Sequence, residues 1–497
     1  MTLASVDLKS ITQQTLSGLP LGVFINNEWH AASDGRTFAV DNPATGETLA
    51  LIPDAGATEA RAAIDAAYAA LPLWSAIPAG QRAEMLRKAA ALMLEQRERL
   101  ATLMTLEQGK PLAEARGEIA YAASFLSWFA GEAERVYGQI VPASAPNKRI
   151  LVFRQPVGVC ALITPWNFPA AMLTRKIGPA LAAGSTVICK PAEQTPLSAL
   201  ALGQIFIEAG IPAGVVNIIP TLDPIPFSNT IFADERVRKI SFTGSTEVGK
   251  ILIRNSAATV KNISLELGGN APFIVFDDAN IPAAVQGAMA SKFRNAGQTC
   301  ICANRIFVQR GVYDQFAALF VAEVEKLQVG NGLAAGSTIG PLIDAPALEK
   351  VQRHIQDARA HGAQILTGGD APPSEQNPSG TFWKPTVLGN ASSQMLVTQE
   401  ETFGPVAPLI PFDDEAEALA QANDTPFGLS AYFYSENIRR VMRVAEKLEF
   451  GIIGANDALP STAQAPFGGV KQSGLGREGG SVGIEEYLEV KYVNLGI

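Results

Sequence analysis

The chain has 497 residues, 47% of them hydrophobic and 18% charged, and 39 Lys plus Arg against 48 Asp plus Glu leave a net charge of -9. Apolar content at this level excludes a disordered chain, and the acidic balance argues against a nucleic-acid partner, which would need a basic face. Four cysteines (Cys160, Cys189, Cys300, Cys302) are too few for a disulfide-stapled secreted scaffold, and three histidines form no HExxH and no His/Cys cluster, so no metal is expected.

The opening stretch, MTLASVDLKSITQQ, lacks the basic start and long apolar run of a secretory signal. Gly22 to Glu47 reads as short strands and turns, punctuated at Ser33-Asp34-Gly35 and Pro43-Ala44-Thr45-Gly46. From Thr58 to Lys110 the apolar spacing is helical, with a proline break and a stop at Gly109; a further helix spans Pro111 to Glu134. Asn147 to Val157 reads as extended, a hairpin arm or sheet edge. An alternation of strand and helix follows: strands at 158–163, 185–189, 214–219 and 239–242, with helices between them and after Gly249. A second alternating block begins after Gly268-Gly269, with strands at 273–276 and 305–308. Short, continuously apolar strands between helices predict an α/β fold with parallel sheets covered on both faces. Gly369 to Gly380 is a polar, Pro-rich loop. The uncharged segment from Gln155 to Thr174 carries Pro165, Asn167 and Pro169, which suits a buried strand running into a loop rather than a bilayer helix. A cytoplasmic protein without a membrane partner is expected.

Several residues have chemistry beyond packing. Cys300 follows Asn295-Ala296-Gly297-Gln298-Thr299, a polar loop whose exposed amides would favour a thiolate, although a structural thiol fits the same letters. Cys302 reads as a core thiol, a redox partner or neither. Glu266 ends an apolar run at two glycines; it either faces solvent or is a pocket carboxylate suited to general-base work. Asn167, in the stiff Pro165–Pro169 turn beyond a strand, could donate to an oxyanion or simply complete a buried turn. Lys190 ends the next strand, where it would meet a ribose or phosphate if it is not merely a surface lysine. The turn from Gly244 to Gly249 is neither GxGxxG nor Walker A, which disfavours kinase or ATPase chemistry and leaves a dinucleotide at a helix N-terminus open.

Taken in order, PWNFP at 165–169, KPAEQTP from Lys190, FTGSTEVG from Phe242 and LELGGNAPFIVFDDA from Leu265 resemble the aldehyde dehydrogenase superfamily. So do SKFRNAGQTCICANR from Ser291, EETFGPVAPL from Glu400, NDTPFGLSAYFYSEN from Asn423 and APFGGVKQSGLGREGG from Ala465. The resemblance runs from about Gly22 to Leu495 and is greatest to bacterial succinate-semialdehyde dehydrogenases. It implies two Rossmann-like α/β domains plus a small β oligomerisation element. Residues 1–134 and 158–266 would bind nucleotide, 267–465 would form the catalytic domain, and 135–157 with 481–497 would pair subunits into a homodimer or tetramer.

The resemblance further implies Cys300 as nucleophile, Glu266 as general base, and Asn167 with the Cys300 N–H as the oxyanion hole. Ile163, Thr164, Trp166, Lys190, Glu193, Gly244, Ser245, Glu401 and Phe403 match cofactor positions. Glu193 beside the ribose hydroxyls would repel a 2′-phosphate, where NADP-preferring relatives carry a small Ser, so NAD is favoured and Lys190 leaves NADP open. Arg175, Arg294 and Ser461 match the residues that hold the distal carboxylate of a small anionic aldehyde, and two guanidinium forks suit that task. Cys302 matches a position that in some relatives forms a reversible disulfide with the nucleophile. Two stretches depart from the family pattern: Asn456-Asp457-Ala458-Leu459-Pro460 before Ser461, which leaves glutarate semialdehyde as an alternative, and the Pro-rich 219–226 in place of a Gly-rich turn near the pyrophosphate. Other readings on the same fold are a phosphonate-bearing, amino or neutral aldehyde as substrate, or a catalytically silent protein.

Overall fold

Largely apolar runs such as Val159–Ile163 and Thr186–Lys190, the second charged only at its last residue, have two faces to bury, and in the computed structural model, which describes residues 8–497, they lie at the centre of a sheet. Five parallel strands, in the order Asn262–Glu266, Val237–Thr243, Val159–Ile163, Thr186–Lys190 and Val216–Ile218, form the middle of this eight-stranded sheet. Antiparallel strands close it: Val23–Ile25 with Glu28–His30 at one edge, and Gly474–Leu475 at the other. That last strand belongs to residues 466–480, which the sequence reading assigned to no domain. It pairs with the strand ending in Glu266.

A seven-stranded sheet holds Gln364–Thr367, Thr386–Gly389, Val406–Phe412, Ala303–Gln309, Ala271–Val275, Ser430–Tyr434 and Ile452–Ala455 in that order, parallel except at the first strand. Each sheet has apolar packing on both faces, with Trp74, Phe125 and Phe129 in one layer and Phe273, Phe316 and Phe320 in another. A three-stranded antiparallel sheet, Leu488–Gly496, Lys148–Pro156 and Gln139–Val141, stands apart. The expected extended arm therefore exists, and the chain's last strand pairs with it over nine residues.

The helical region after Thr58 resolves into Ala57–Ala76, Ala79–Glu95 and Arg97–Gln108, and Gly109 ends the last of these in the left-handed conformation. Leu8–Leu16 is a helix that the sequence reading did not foresee; residues 1–7 of the opening stretch lie outside the described residues. The prolines at 224 and 226 lie in the first turn of a regular helix. Asp223 caps the helix Pro224–Ala233 through Ile225 N–H, and proline in the first helical turn removes a donor that would have gone unpaired. Among the described residues no helix is long and apolar enough to cross a membrane.

Candidate active site

Parallel strands point their carboxyl ends at one rim, and loops from both large sheets meet there. The helix Ala171–Ala183 is anchored at its start by Glu118, which accepts from the Ala170 and Ala171 N–H groups at 3.0 and 3.2 Å. Lys110, fully buried, donates to Glu118 and, at 2.7 Å, to the Asn167 carbonyl. The backbone of Asn167 is held again by Asn295 Nδ2 at 3.0 Å. Its side-chain Nδ2 donates to the Gln298 carbonyl at 3.0 Å, which leaves the second amide hydrogen uncommitted.

The loop bearing Cys300 is shaped by backbone that most residues avoid. Asn295 and Ala296 both have positive φ, at 52° and 55°. Asn295 meets that cost through its N–H to Glu114 at 2.8 Å and through Gln108 Nε2, which donates to its Oδ1 at 3.0 Å. At Gly297 a β-carbon would collide with the Gly404 carbonyl, so only glycine lets the nucleophile loop lie against the 400–404 loop. Tyr432 donates to the Ile301 carbonyl at 2.6 Å and fixes the exit. Cys300 itself lies half-buried, and its N–H has no acceptor among the described residues.

A cavity of about 360 Å³ opens at this point, lined by Trp166, Asn167, Gly244, Ser245, Cys300, Lys350, Glu401 and Phe403 among others. Six of the predicted cofactor and catalytic positions thus share one wall with the nucleophile. The Trp166 and Phe403 rings meet edge to face at 5.5 Å. Glu401 accepts from the Gly269 N–H at 3.1 Å, and burial lifts its carboxyl to about 7 against the pull of that N–H and of Lys350. Ser245 caps the helix Thr246–Ser256, and Gly244 N–H donates to the Glu266 carbonyl at 3.0 Å. Ile163, Thr164, Lys190 and Glu193 lie outside the cavity wall, at the ends of neighbouring strands. Thr164 N–H donates to the Lys190 carbonyl at 3.1 Å, and Lys190 Nζ pairs with Glu193 at 3.0 Å.

Near Cys300 lies a cationic end, since both Arg175 and Arg294 act on the thiol. Arg175, 1% exposed, pairs with Glu478 and sits over the Phe467 ring at 4.1 Å, yet its Nη1 is buried with no hydrogen-bond partner among the described residues. Arg294 stacks over Phe168 at 5.2 Å and has no ion-pair partner among the described residues. Tyr121 feels Arg175, Ser461 and Arg294 together, so the three predicted substrate residues converge on one phenol that the sequence reading missed. Asn456 pins the loop leading to Ser461 by exchanging hydrogen bonds with the Ser435 backbone at 2.9 Å each.

Also missed were Lys176 and Glu478, both buried, with Lys176 donating to Glu478 and, at 3.0 Å, to Ser241. Burial opposes the Glu478 carboxylate, but Arg175 and Lys176 hold it below the ordinary range. Burial and the nearby Glu478 charge push Glu266 well above the usual carboxylate range, with Arg175, Lys176 and Arg477 opposing. Burial pushes the Cys300 thiol up to about 12 while Arg175 and Arg294 pull it back. Cys302 is buried and accepts from Lys292 Nζ at 3.3 Å. No group of three or more His, Cys, Asp or Glu among the described residues could hold a metal ion.

A half-buried thiol beside an unengaged backbone N–H and a free amide hydrogen, a raised carboxylate and a cavity at a helix N-terminus are the parts that a cysteine-dependent oxidoreductase requires. Residues 29–493 match the aldehyde dehydrogenase family, and the chain belongs to that family. It is 56% identical over 473 residues to the NADP-dependent succinate-semialdehyde dehydrogenase GabD of Escherichia coli K12, covering 95% of this chain and 97% of that one. To the glutarate-semialdehyde dehydrogenase of Pseudomonas putida KT2440 it is 55% identical over 474 residues, covering 95% and 97%. The crystal structure of an NADP-dependent enzyme from E. coli matches at a TM-score of 0.94 with 55% identity, covering 96% of this chain and 98% of that one.

Proposed function

We propose that this chain oxidises succinate semialdehyde to succinate with a nicotinamide dinucleotide. The observation that carries the substrate class is the cationic end of the site: a buried Arg175 with an unpartnered Nη1, and Arg294 without a carboxylate of its own. Buried donors left unpaired are costly, and a distal carboxylate is the group that satisfies them. Tyr121 and Ser461 complete the seat. Glutarate semialdehyde is the second reading, favoured by near-equal identity to relatives of both kinds; the clamp reads the charged end and sets no chain length.

The cavity fits a dinucleotide on its own terms. A β-carbon at Gly268 would lie 3.1 Å from the Glu401 carboxylate and 3.4 Å from Thr246 Oγ1, so glycine there keeps the wall open. Trp166, Glu401 and Phe403 would hold the nicotinamide half, Gly244 and Ser245 the pyrophosphate at the helix N-terminus, and Ile163, Thr164, Lys190 and Glu193 the adenosine half. When bound, the nicotinamide supplies the acceptor for the substrate's hydride.

The chain's residues do the rest. Cys300 is a thiol at rest and passes its proton to Glu266, whose proton affinity is raised by burial and by the Glu478 charge. The thiolate attacks the aldehyde carbon, and the developing alkoxide receives the Cys300 N–H and the free Asn167 amide hydrogen. Loss of hydride leaves a thioester on Cys300. Once Glu266 has released the thiol proton to solvent, it takes a proton from the water that attacks the thioester carbon; the C–S bond breaks, Cys300 is restored and the acid departs. Cys302, buried against Lys292, is proposed as a redox partner for Cys300 under oxidising conditions.

NAD is the proposed cofactor because a Glu193 carboxylate beside the ribose hydroxyls would repel a 2′-phosphate, although Lys190 offsets part of its charge. The same reading divides the chain into nucleotide-binding, catalytic and oligomerisation parts. Ile140, 81% exposed on the outer strand of the three-stranded sheet, supports pairing with a second subunit into a homodimer or tetramer in the cytoplasm. Turnover of succinate, glutarate and neutral aldehydes with NAD and with NADP tests the proposal, together with Cys300→Ala, which should abolish turnover. Preferential turnover of neutral aldehydes would overturn the substrate assignment.

A further inference from the structure

His354 is the one fully buried histidine among the described residues, and it sits on the helix Ala345–Ala360, whose first turns line the cavity and which packs against the 400–404 loop. Its two ring nitrogens are both engaged by that loop. Nε2 lies 3.0 Å from the Glu400 carboxylate, and Nδ1 lies 3.2 Å from Thr402 Oγ1. An ionised carboxylate only accepts, so Nε2 carries the hydrogen, and the neutral ring accepts the Thr402 hydroxyl at Nδ1. Burial lowers the ring's pKa and favours this neutral state, although Glu400 pulls the other way.

The residues that follow Glu400 line the cavity. Glu400 and Thr402 direct side-chain oxygens at His354, and Glu401, Thr402 and Phe403 all contribute to the cavity wall. Anchoring 400 and 402 restrains Glu401, which lies between them, and Phe403, which follows. Asn304 reinforces the arrangement from the other side: its Oδ1 accepts the Thr402 N–H at 3.1 Å, and its Nδ2 donates to the Glu400 carbonyl at 3.0 Å. Phe403 needs this support, since its φ of 53° is one that a non-glycine residue adopts only when its surroundings impose it. Arg353, one residue earlier on the helix, holds the Glu400 carboxylate at 2.6 Å and keeps it charged for the imidazole.

We propose that His354 is a positioning residue for the cofactor, acting through Glu400 and Thr402 to aim Glu401 and Phe403 into the dinucleotide cavity. The inference rests on the reading of Glu401 and Phe403 as dinucleotide contacts. It concerns binding of the nicotinamide half, not the thiol chemistry.

Four variants of the full chain test it: His354→Leu, which loses both bonds; His354→Gln, whose amide reaches toward Glu400; His354→Asn, whose amide stands near the Nδ1 position; and Glu401→Gln. The readouts are the KM for dinucleotide, the KM for aldehyde, fluorescence quenching of the cavity tryptophan on dinucleotide titration, and hydrolysis of p-nitrophenyl acetate by Cys300, which needs no dinucleotide. His354→Leu is expected to raise the dinucleotide KM about tenfold, while aldehyde KM and ester hydrolysis move less than about threefold, and Gln or Asn should recover part of the loss. The proposal is overturned if His354→Leu leaves the dinucleotide KM within about twofold while Glu401→Gln raises it, or if both KM values rise and quenching and ester hydrolysis fall to the same extent. An unchanged dinucleotide KM in Glu401→Gln would instead remove the reading beneath it, and the proposal with it. If His354→Leu does not fold, Thr402→Val severs the Nδ1 contact alone and should still raise the dinucleotide KM, and a wild-type value there overturns the proposal.

Discussion

Arg294→Met is the sharpest test of the substrate assignment. Arg294 follows the helix Ile281–Phe293, and its guanidinium has no carboxylate partner among the described residues. Removing it leaves the partly buried Glu114 with Lys110 still nearby, whereas removal of Arg175 would leave Glu478 without its guanidinium. Methionine keeps an apolar stem over Phe168, so the stability change should stay within about 1 kcal/mol. A guanidinium held to a carboxylate by charge-assisted bonds contributes about 1.5–3 kcal/mol per bond, and with Arg175 and Tyr121 still in place a loss near 3 kcal/mol is expected. At about 1.4 kcal/mol per factor of ten, kcat/KM for succinate semialdehyde should fall about a hundredfold. Butanal has the same number of carbons and no charge, so its kcat/KM should barely change. Initial rates of reduced-nicotinamide formation measure both. Equal losses for the two aldehydes, or less than about a threefold loss for the anionic one, would refute the clamp.

Glu478→Gln removes the like charge that helps burial raise Glu266, so the rising limb of the pH–rate profile, where Glu266 must be deprotonated, should move to lower pH; a limb that stays put would sink that account. Glu193→Ser removes the carboxylate near the proposed 2′-phosphate position and should raise kcat/KM with NADP relative to NAD, by about tenfold in a steady-state comparison. Lys110→Met leaves Glu118 buried without its ammonium, and denaturant unfolding should show a loss of about 3–5 kcal/mol; less than about 1 kcal/mol would mean that the two backbone N–H groups suffice to hold the carboxylate.

Much of this site is readable where its chemistry is local in sequence. The nucleophile loop, the Pro165–Pro169 turn and the Gly244 turn carry their own backbone signals. Their strands and helices follow from short apolar runs and helical spacing, with Gly109 and Gly184 ending helices in the left-handed conformation. What stayed hidden is long-range. Lys176 and Glu478 are 302 positions apart, and nothing in either neighbourhood says that one neutralises the other. Tyr121 sits in a helix whose letters speak only of packing. Arg175 and Arg294 were legible through motif likeness, but only the structure supplies the unpartnered Nη1 that turns likeness into a physical argument.

The proposed substrate seat draws on Tyr121, Arg175, Arg294 and Ser461, from four separate stretches of chain, and Arg175 pairs with Glu478 from a fifth. Recombination with a relative therefore cannot transplant substrate preference as one cassette. Exchanging 267–465 alone would install a foreign Arg294 and Ser461 against the resident Tyr121 and Arg175. It would also bring a foreign 463–465 up to Gly479 and Gly480, where the Gly480 N–H now donates to the Ala463 carbonyl. Crossovers placed so that 466–480 travels with its own Arg175–Lys176 helix would keep each buried charge with its partner, and such chimeras are the ones expected to fold and to inherit a preference.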